Sequence, residues 1–446
     1  MLLGEPTREE VKDVVFSLNK DSAAGPDGFN GHFYHNFWEL IADEVVAAVA
    51  HFLRGHKLPQ AFTSTTIALI PKTEAAKSWK DYRPMSLCTF ANKIFTKILT
   101  TRLVIILPKL ISEFQAGFAP GRLIQDNILL AQELVHHIDK GGKEGNVILN
   151  LDMSKAFDKI SWQFLQKILS RIGFSDMLIK RFMACIDNSW FSLLLNGTTT
   201  GYFKSDKGVR QGDPLSPAFF ILAEEYLLRG LNKLYSENPD LSYKSGQVVN
   251  KEKSSCILSH KVSQARVSIV LKDTGFRQGC LPFTHLGILI HKGKKQVILF
   301  DDMMEKVRLK LASWSSNFLS YGGRITLLQS VLTALPIYDL QVMKMPEHVQ
   351  SKLERTLNKF LWDGIPWCKW NKVLAPFEEG GLNLRSFQDI HNSFMIKAWF
   401  RMREGECLWS RFMLDKYCRN QHPTRAAIHS GHSRVWKNIV KIRDKA

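Results

Sequence analysis

Apolar and polar positions along the chain alternate between helical periods, short aliphatic runs and dense turn clusters. Thr7 to Glu10 has the form of a capping box. Val11, Val14, Val15 and Leu18 then recur at helical spacing, so a helix is predicted up to the turn cluster 21–28. Phe33, Phe37, Leu40 and Ile41 predict the apolar face of a second helix. Residues 66–71 read as a strand stopped by proline, and 91–103 as a helix with Ile94, Ile98 and Leu99 on one side. Residues 115–122 read as a loop feeding a helix from Asp126 towards His137. The aliphatic run 147–151 predicts a buried strand ending at Asp152, and Ser161 a cap ahead of Phe164, Leu165, Ile168 and Leu169. Residues 191–196 and 198–204 flank Asn196-Gly197, the strongest short hairpin signal. The loop GVRQGDPLSP then opens an apolar helix over 218–231.

Beyond Ser255 the pattern is helix-rich and basic, with breaks at Pro336, Pro346 and Pro366. Trp367, Trp370, Trp399, Trp409 and Trp436 stand among lysines and arginines near the end. There is no internal repeat and no low-complexity tract.

Composition adds one strong statement. Of the 446 residues, 45% are hydrophobic and 23% charged, which is ordinary for a globular chain, but the net charge is +18. Such a chain favours polyanions, nucleic acid foremost. The seven cysteines (Cys88, Cys185, Cys256, Cys280, Cys368, Cys407 and Cys418) form no CxxC, which predicts reduced thiols and an intracellular home, cytoplasm or nucleus. Cys407, Cys418, His422, His429 and His432 fit no standard zinc spacing, and Trp409 and Phe412 between the cysteines suggest a packed helix. The acidic start MLLGEPTREE is not a signal peptide, and no apolar run is long enough to span a bilayer.

Candidate chemistry begins at Asp152, with Asp158 six residues on. A carboxylate at a strand end suits a hard cation such as Mg²⁺, and equally suits a helix cap. The surrounding motifs add a resemblance. AAGPDGF, ALIPK, DYRPMSL, QAGFAPGR, LDMSKAFDKISW, GVRQGDPLSP, LPFTHLGILI and EEGGLNLR stand in the order found in the reverse transcriptases of plant LINE-type non-LTR retrotransposons. The chain resembles that family over nearly its whole length. The resemblance implies a mixed α/β (α+β) right-hand polymerase fold that copies RNA into DNA with two Mg²⁺ ions. It places fingers at 1–130, palm at 131–265, a helical thumb-like region at 266–345 and a basic, tryptophan-rich region at 346–446. RNA template, DNA primer and dNTP are the implied partners, with no membrane.

Carried over residue by residue, the resemblance makes Asp152 a catalytic metal ligand. Lys72 of ALIPK and Arg83 of DYRP become cations for the incoming triphosphate, which a point charge and a guanidinium fork both suit. Read alone, each is a surface charge. Phe157 matches the aromatic beneath the sugar that excludes a 2′-hydroxyl, or is a core ring. Gln211 and Gly212 match the loop lining the nucleotide pocket, or form a plain turn. Lys253 in VNKEKSS matches the lysine proposed to protonate leaving pyrophosphate.

One part is missing. Two metal ions about 4 Å apart need bridging carboxylates. The family supplies an adjacent pair, YADD or FADD, on a hairpin between GVRQGDPLSP and SGQ. Here the interval is residues 218–244 and holds no adjacent aspartates. Glu224 and Glu225 adjoin but fall on the predicted helix. Phe300-Asp301-Asp302 reads as the acidic first turn of a later helix. An internal loss near Tyr243-Lys244 follows, with two consequences: weak Mg²⁺ binding, and an incomplete palm sheet in which the strand ending at Asp152 has an unpaired edge. The expectation is a reverse transcriptase domain that is inactive, or alternatively a non-catalytic binder of RNA or RNA–DNA hybrid.

Overall fold

The computed structural model describes residues 2–73, 75–140, 145–236, 248–293, 297–314, 319–419 and 421–443, with main chain alone at 231–236 and 248. The inferred junction at 243–244 lies outside the described residues. The described strands are β1 (Ser64–Pro71), β2 (Tyr82–Cys88), β3 (Val147–Asn150), β4 (Met153–Ser154), β5 (Trp190–Leu195), β6 (Thr198–Lys204), β7 (Val248–Val249), β8 (Ser255–Leu258), β9 (Arg277–Gln278), β10 (Phe283–His285) and β11 (Ile288–Ile290). Helices make up most of the rest, so the fold class is mixed α/β. The chain divides into two compact units, 1–122 with 151–253, and 123–150 with 254–446.

The first unit carries a four-stranded sheet in the order β2-β1-β5-β6. β1 runs antiparallel to β2 and parallel to β5, and β5 turns into β6. That turn is Asn196-Gly197, with φ of 50° and 82°, the two left-handed positions a two-residue hairpin requires. The N-caps form as expected, but the capping box at Thr7 is only half made, because the Glu10 carboxylate accepts from Arg102 at 2.7 Å instead. Thr7 accepts from the Glu10 amide at 3.1 Å, and Ser161 accepts from that of Phe164 at 3.4 Å. Val11, Val14 and Val15 are buried in the core of this unit together with Phe52, Ile98, Leu165, Phe182 and Phe219.

The second predicted helix differs. It is two helices, Gly31–Asn36 and Trp38–Arg54, joined at Phe37. Leu40 is 77% exposed, while Trp38, Ala42, Val49 and Phe52 face the core. The break at Phe37 turns the second helix, so a face read continuously across it is the wrong one.

In the second unit β3 pairs antiparallel with β8, and β8 runs parallel to β9. The sheet order β3-β8-β9 leaves β3 on an edge. Among the described strands β3 has one neighbour, β8, and the expectation of a buried strand does not hold. Val147, Leu149 and Leu151 are 40%, 50% and 40% exposed. Val147 and Leu149 alternate along β3, so they share one face, while Leu151 follows the strand. Ile148, on the other face, packs against the core of this unit. Nothing in an aliphatic run distinguishes a strand covered on both faces from one covered on one. The helical remainder of the unit is built around Trp399, Trp409 and Trp436, all buried. Phe300 is buried at the head of the helix Asp301–Trp314, whose first turn holds Asp301 and Asp302, as predicted.

Candidate functional site

The loop 208–217 is the best-defined part of the first unit, and its rigidity comes from buried polar contacts. Arg210 donates to the Asp213 carboxylate at 2.6 Å and to the Cys185 carbonyl at 2.7 Å. Asp213 also accepts from the Leu215 amide at 2.9 Å, holding the turn that starts the helix Ser216–Ser236. Both ends of the pair are almost fully buried, so each charge depends on the other. Gly208 has φ +84° and approaches Asp158 so closely that a Cβ there would lie 2.7 Å from the Asp158 carbonyl oxygen. The Trp162 indole donates to the Gly208 carbonyl at 2.7 Å.

This framework presents Gln211 to a cleft of about 230 Å³ lined by Ile67, Pro84, Ser86, Asp158 and Gln211 itself, with Gly212 next in the chain. The Ser86 amide donates to the Gln211 carbonyl at 2.9 Å, tying the loop to β2. Gly212 has φ +109°, and a Cβ there would sit 3.2 Å from the Ser86 carbonyl, so glycine is needed for both conformation and approach. The Gln211 side-chain amide reaches the Asp158 carboxylate at 3.4 Å. Burial raises the Asp158 carboxyl above its usual range, opposed by the Gln211 hydrogen bond and by the charges of Lys155 and Lys72.

The other predicted residues are more dispersed. Lys72 is exposed just after β1, and its ammonium donates to the Lys80 carbonyl at 2.6 Å. Arg83 is exposed on β2, opposite Ile70. Phe157 stacks on Phe220 with centroids 5.1 Å apart and packs against the core of this unit. That favours its reading as a core ring. Asp152 is exposed, and its carbonyl accepts from the Asn250 amide at 2.7 Å. β4 pairs with β7 immediately beyond, and the Lys253 amide donates to Asn250, so Asp152 and Lys253 flank one short ladder. The structure thus brings Lys72, Gln211 and Gly212 into the neighbourhood of Asp158, and puts Asp152 with Lys253. Sequence reasoning noted Asp158 without giving it a role, and missed Ser86, Trp162, Arg210 and Asp213. The spacing of Arg210 and Asp213, three residues apart around a glycine, was the available signal.

Of the two adjacent glutamates, Glu225 is buried. It accepts from the Ser112 amide and from Arg229, both at 2.8 Å, so it fastens the helix Ser216–Ser236. Among the described residues no three His, Cys, Asp or Glu side chains converge as metal ligands, the C-terminal cysteines and histidines included. The described donors therefore do not fit a two-metal centre around Asp152.

Residues 70–259 match the family described as reverse transcriptase (RNA-dependent DNA polymerase). This stretch is a reverse transcriptase domain. Relatives of the domain come from non-LTR retrotransposons. The chain is 24% identical over 429 residues to the transposon TX1 uncharacterized 149 kDa protein of Xenopus laevis, covering 88% of this chain and 33% of that protein. It is 32% identical over 228 residues to the Pol polyprotein of the retrotransposable element R2DM of Drosophila melanogaster, covering 50% of this chain and 20% of that protein. The chain thus spans a third or less of these relatives. Apo telomerase from Candida tropicalis shares 12% identity at a TM-score of 0.36, over 84% of this chain and 74% of that one. Reverse transcriptases are in general divalent-metal dependent. No helix among the described residues is long and apolar enough to cross a membrane.

Proposed function

We propose that this reverse transcriptase domain holds nucleic acid without extending it. The observation that carries the reading is the short return from the helix Ser216–Ser236 to β7. Only residues 237–247 lie between them, and their acids, Glu237 and Asp240, are not adjacent. A carboxylate pair beside Asp152 has to come from that interval, and it is too short for a connection plus a two-stranded hairpin. Lone Asp152 is then a poor Mg²⁺ site, because Mg²⁺ gives up its waters reluctantly. In this reading Lys72, Arg83, Gln211 and Gly212 are remnants of a dNTP pocket, Lys253 is a remnant of the pyrophosphate-protonating position, and Phe157 serves as a core ring. The division into fingers, palm, thumb-like and C-terminal regions is part of the same reading.

Nucleic-acid binding is supported by charge and by exposed aromatics. The net charge is +18, and in the second unit Trp367 is 75% exposed and stacked on Trp362 at 5.2 Å, with Tyr321 at 5.9 Å. Aromatic platforms of this kind stack unpaired bases, and phosphate contacts make binding strongly salt-dependent. RNA template, or an RNA–DNA hybrid, is the partner this favours.

The test is primer extension on an RNA template with Mg²⁺, run beside binding of the same hybrid. We expect no extension, and an affinity that falls steeply between low and physiological salt. Templated synthesis that Asp152→Ala abolishes would refute the proposal, as would a folded sample that fails to bind at low salt.

A further inference from the structure

A partly open cavity in the second unit has a lining whose charges are all of one sign. It lies between the helix Ile124–His136, the segment after β11, residues 342–344 and the start of the helix Arg434–Arg443. Its polar lining includes His136, His291, Lys344, Arg434 and Asn438, and no aspartate or glutamate lines it. Its volume is about 40 Å³. That is roughly three waters' worth of space, the size of a phosphate group rather than a nucleoside.

Two of these cations have nothing to neutralise them. One Arg434 guanidinium nitrogen, Nη1, is fully buried without a hydrogen-bond partner. Burial pulls the Arg434 guanidinium below its ordinary range with no opposing carboxylate. Among the described residues Lys344 makes no ion pair. Gln132 uses its amide nitrogen on the His291 carbonyl at 2.5 Å and its oxygen on the His291 amide at 3.3 Å, pinning that backbone. Glu133, next to Gln132, is fully buried and already accepts from Ser433, from Tyr417 at 2.8 Å and from Lys416 at 3.3 Å. It leaves no charge over for Arg434. A buried guanidinium nitrogen without an acceptor is costly, so a bound oxyanion would complete the site.

We propose that this cavity binds a phosphate group, with Arg434 and Lys344 as its charged donors. The phosphate is either free or the 5′-terminal phosphate of a nucleic-acid strand. The site is in the second unit, and its existence does not depend on whether the reverse transcriptase domain is active.

The experiment is calorimetric titration of the full chain with inorganic phosphate in a chloride buffer, followed by two short RNAs of one sequence, 5′-phosphorylated and 5′-hydroxyl. Saturable phosphate binding is expected, weakened about tenfold or more in Arg434→Gln. Lys344→Gln should weaken it less, and Lys437→Ala, a change at an exposed ion on the same helix, should leave it unaltered. If Arg434→Gln fails to fold, Arg434→Lys and Lys344→Gln carry the test. A preference for the 5′-phosphorylated RNA that disappears in the Arg434 variant assigns the phosphate to a strand end. Equal affinity for the two RNAs, with inorganic phosphate still bound, assigns it to free phosphate. No phosphate binding by the wild type, or binding unchanged in both the Arg434 and Lys344 variants, would overturn the proposal.

Discussion

Arg210 and Asp213 form a buried ion pair at 2.6 Å inside the loop that presents Gln211 to the cleft. Gln211 and Gly212 stand between the two paired residues, so the loop's presentation depends on that buried pair. Replacing Asp213 by Asn keeps the size of the side chain and leaves the Arg210 charge uncompensated. Breaking a buried pair from one side costs about 3–5 kcal/mol. Urea unfolding of Asp213→Asn should show a correspondingly lower midpoint, with a native-like slope. A loss under about 1 kcal/mol would mean the pair is screened by water.

Gly208 offers a comparison of strain with collision. Gly208 and Gly197 share nearly the same φ, +84° and +82°, but only Gly208 has a backbone oxygen where a Cβ would go. Gly197→Ala should therefore cost only the left-handed conformation, about 1 kcal/mol. Gly208→Ala should cost appreciably more, since Asp158 must move, and should also shift the Asp158 titration seen by carboxyl NMR. Equal costs for the two would show that the loop yields freely.

The exposed apolar face of β3 predicts self-association. Val147 and Leu149 lie on one face of β3, which has a single neighbour among the described strands, and such edges template pairing between chains. Leu149→Lys should lower the fraction of large species in sedimentation velocity at equal concentration, with little loss of stability. An unchanged distribution would place the association elsewhere.

Asp339 predicts a pH dependence of the second unit. Burial raises its carboxyl from 3.8 to about 6, with Lys306 opposing and Asp302 adding. The folded state resists ionisation, so between those values the unfolded chain gives up its proton first. Stability is therefore lost as pH rises from about 3.8 through about 6. Asp339→Asn removes that loss. It should be more stable than wild type above pH 6 by an amount on the order of 1 kcal/mol after allowance for solvent screening, and the gain should vanish near pH 4. Paired denaturation curves at pH 4 and 7 measure this; a gain equal at both would sink the assignment to Asp339 ionisation.

Local features were legible in the sequence where one chemical event decides them. Thr7 and Ser161 cap because their hydroxyls meet free amides three residues on, and Asn196-Gly197 turns because both residues tolerate positive φ. The eight family signatures, read in order, were enough to expect the reverse transcriptase domain that residues 70–259 match. Where continuity across an element was assumed, the reading failed. Phe33 to Ile41 looked like one helical face until the break at Phe37 rotated it.

What the sequence by itself determined was therefore the local geometry, the family of the domain and the lack of adjacent aspartates between the pocket loop and SGQ. These depend on residues close together in the chain. Tertiary structure alone decided which groups face each other: Gln211 with Asp158, Glu225 with Ser112 and Arg229, and the cavity where Arg434 and Lys344 stand without an acid. It also decided that Val147, Leu149 and Leu151 stand in the open. Burial and pairing depend on distances through space between residues far apart along the chain, and no periodicity records those distances.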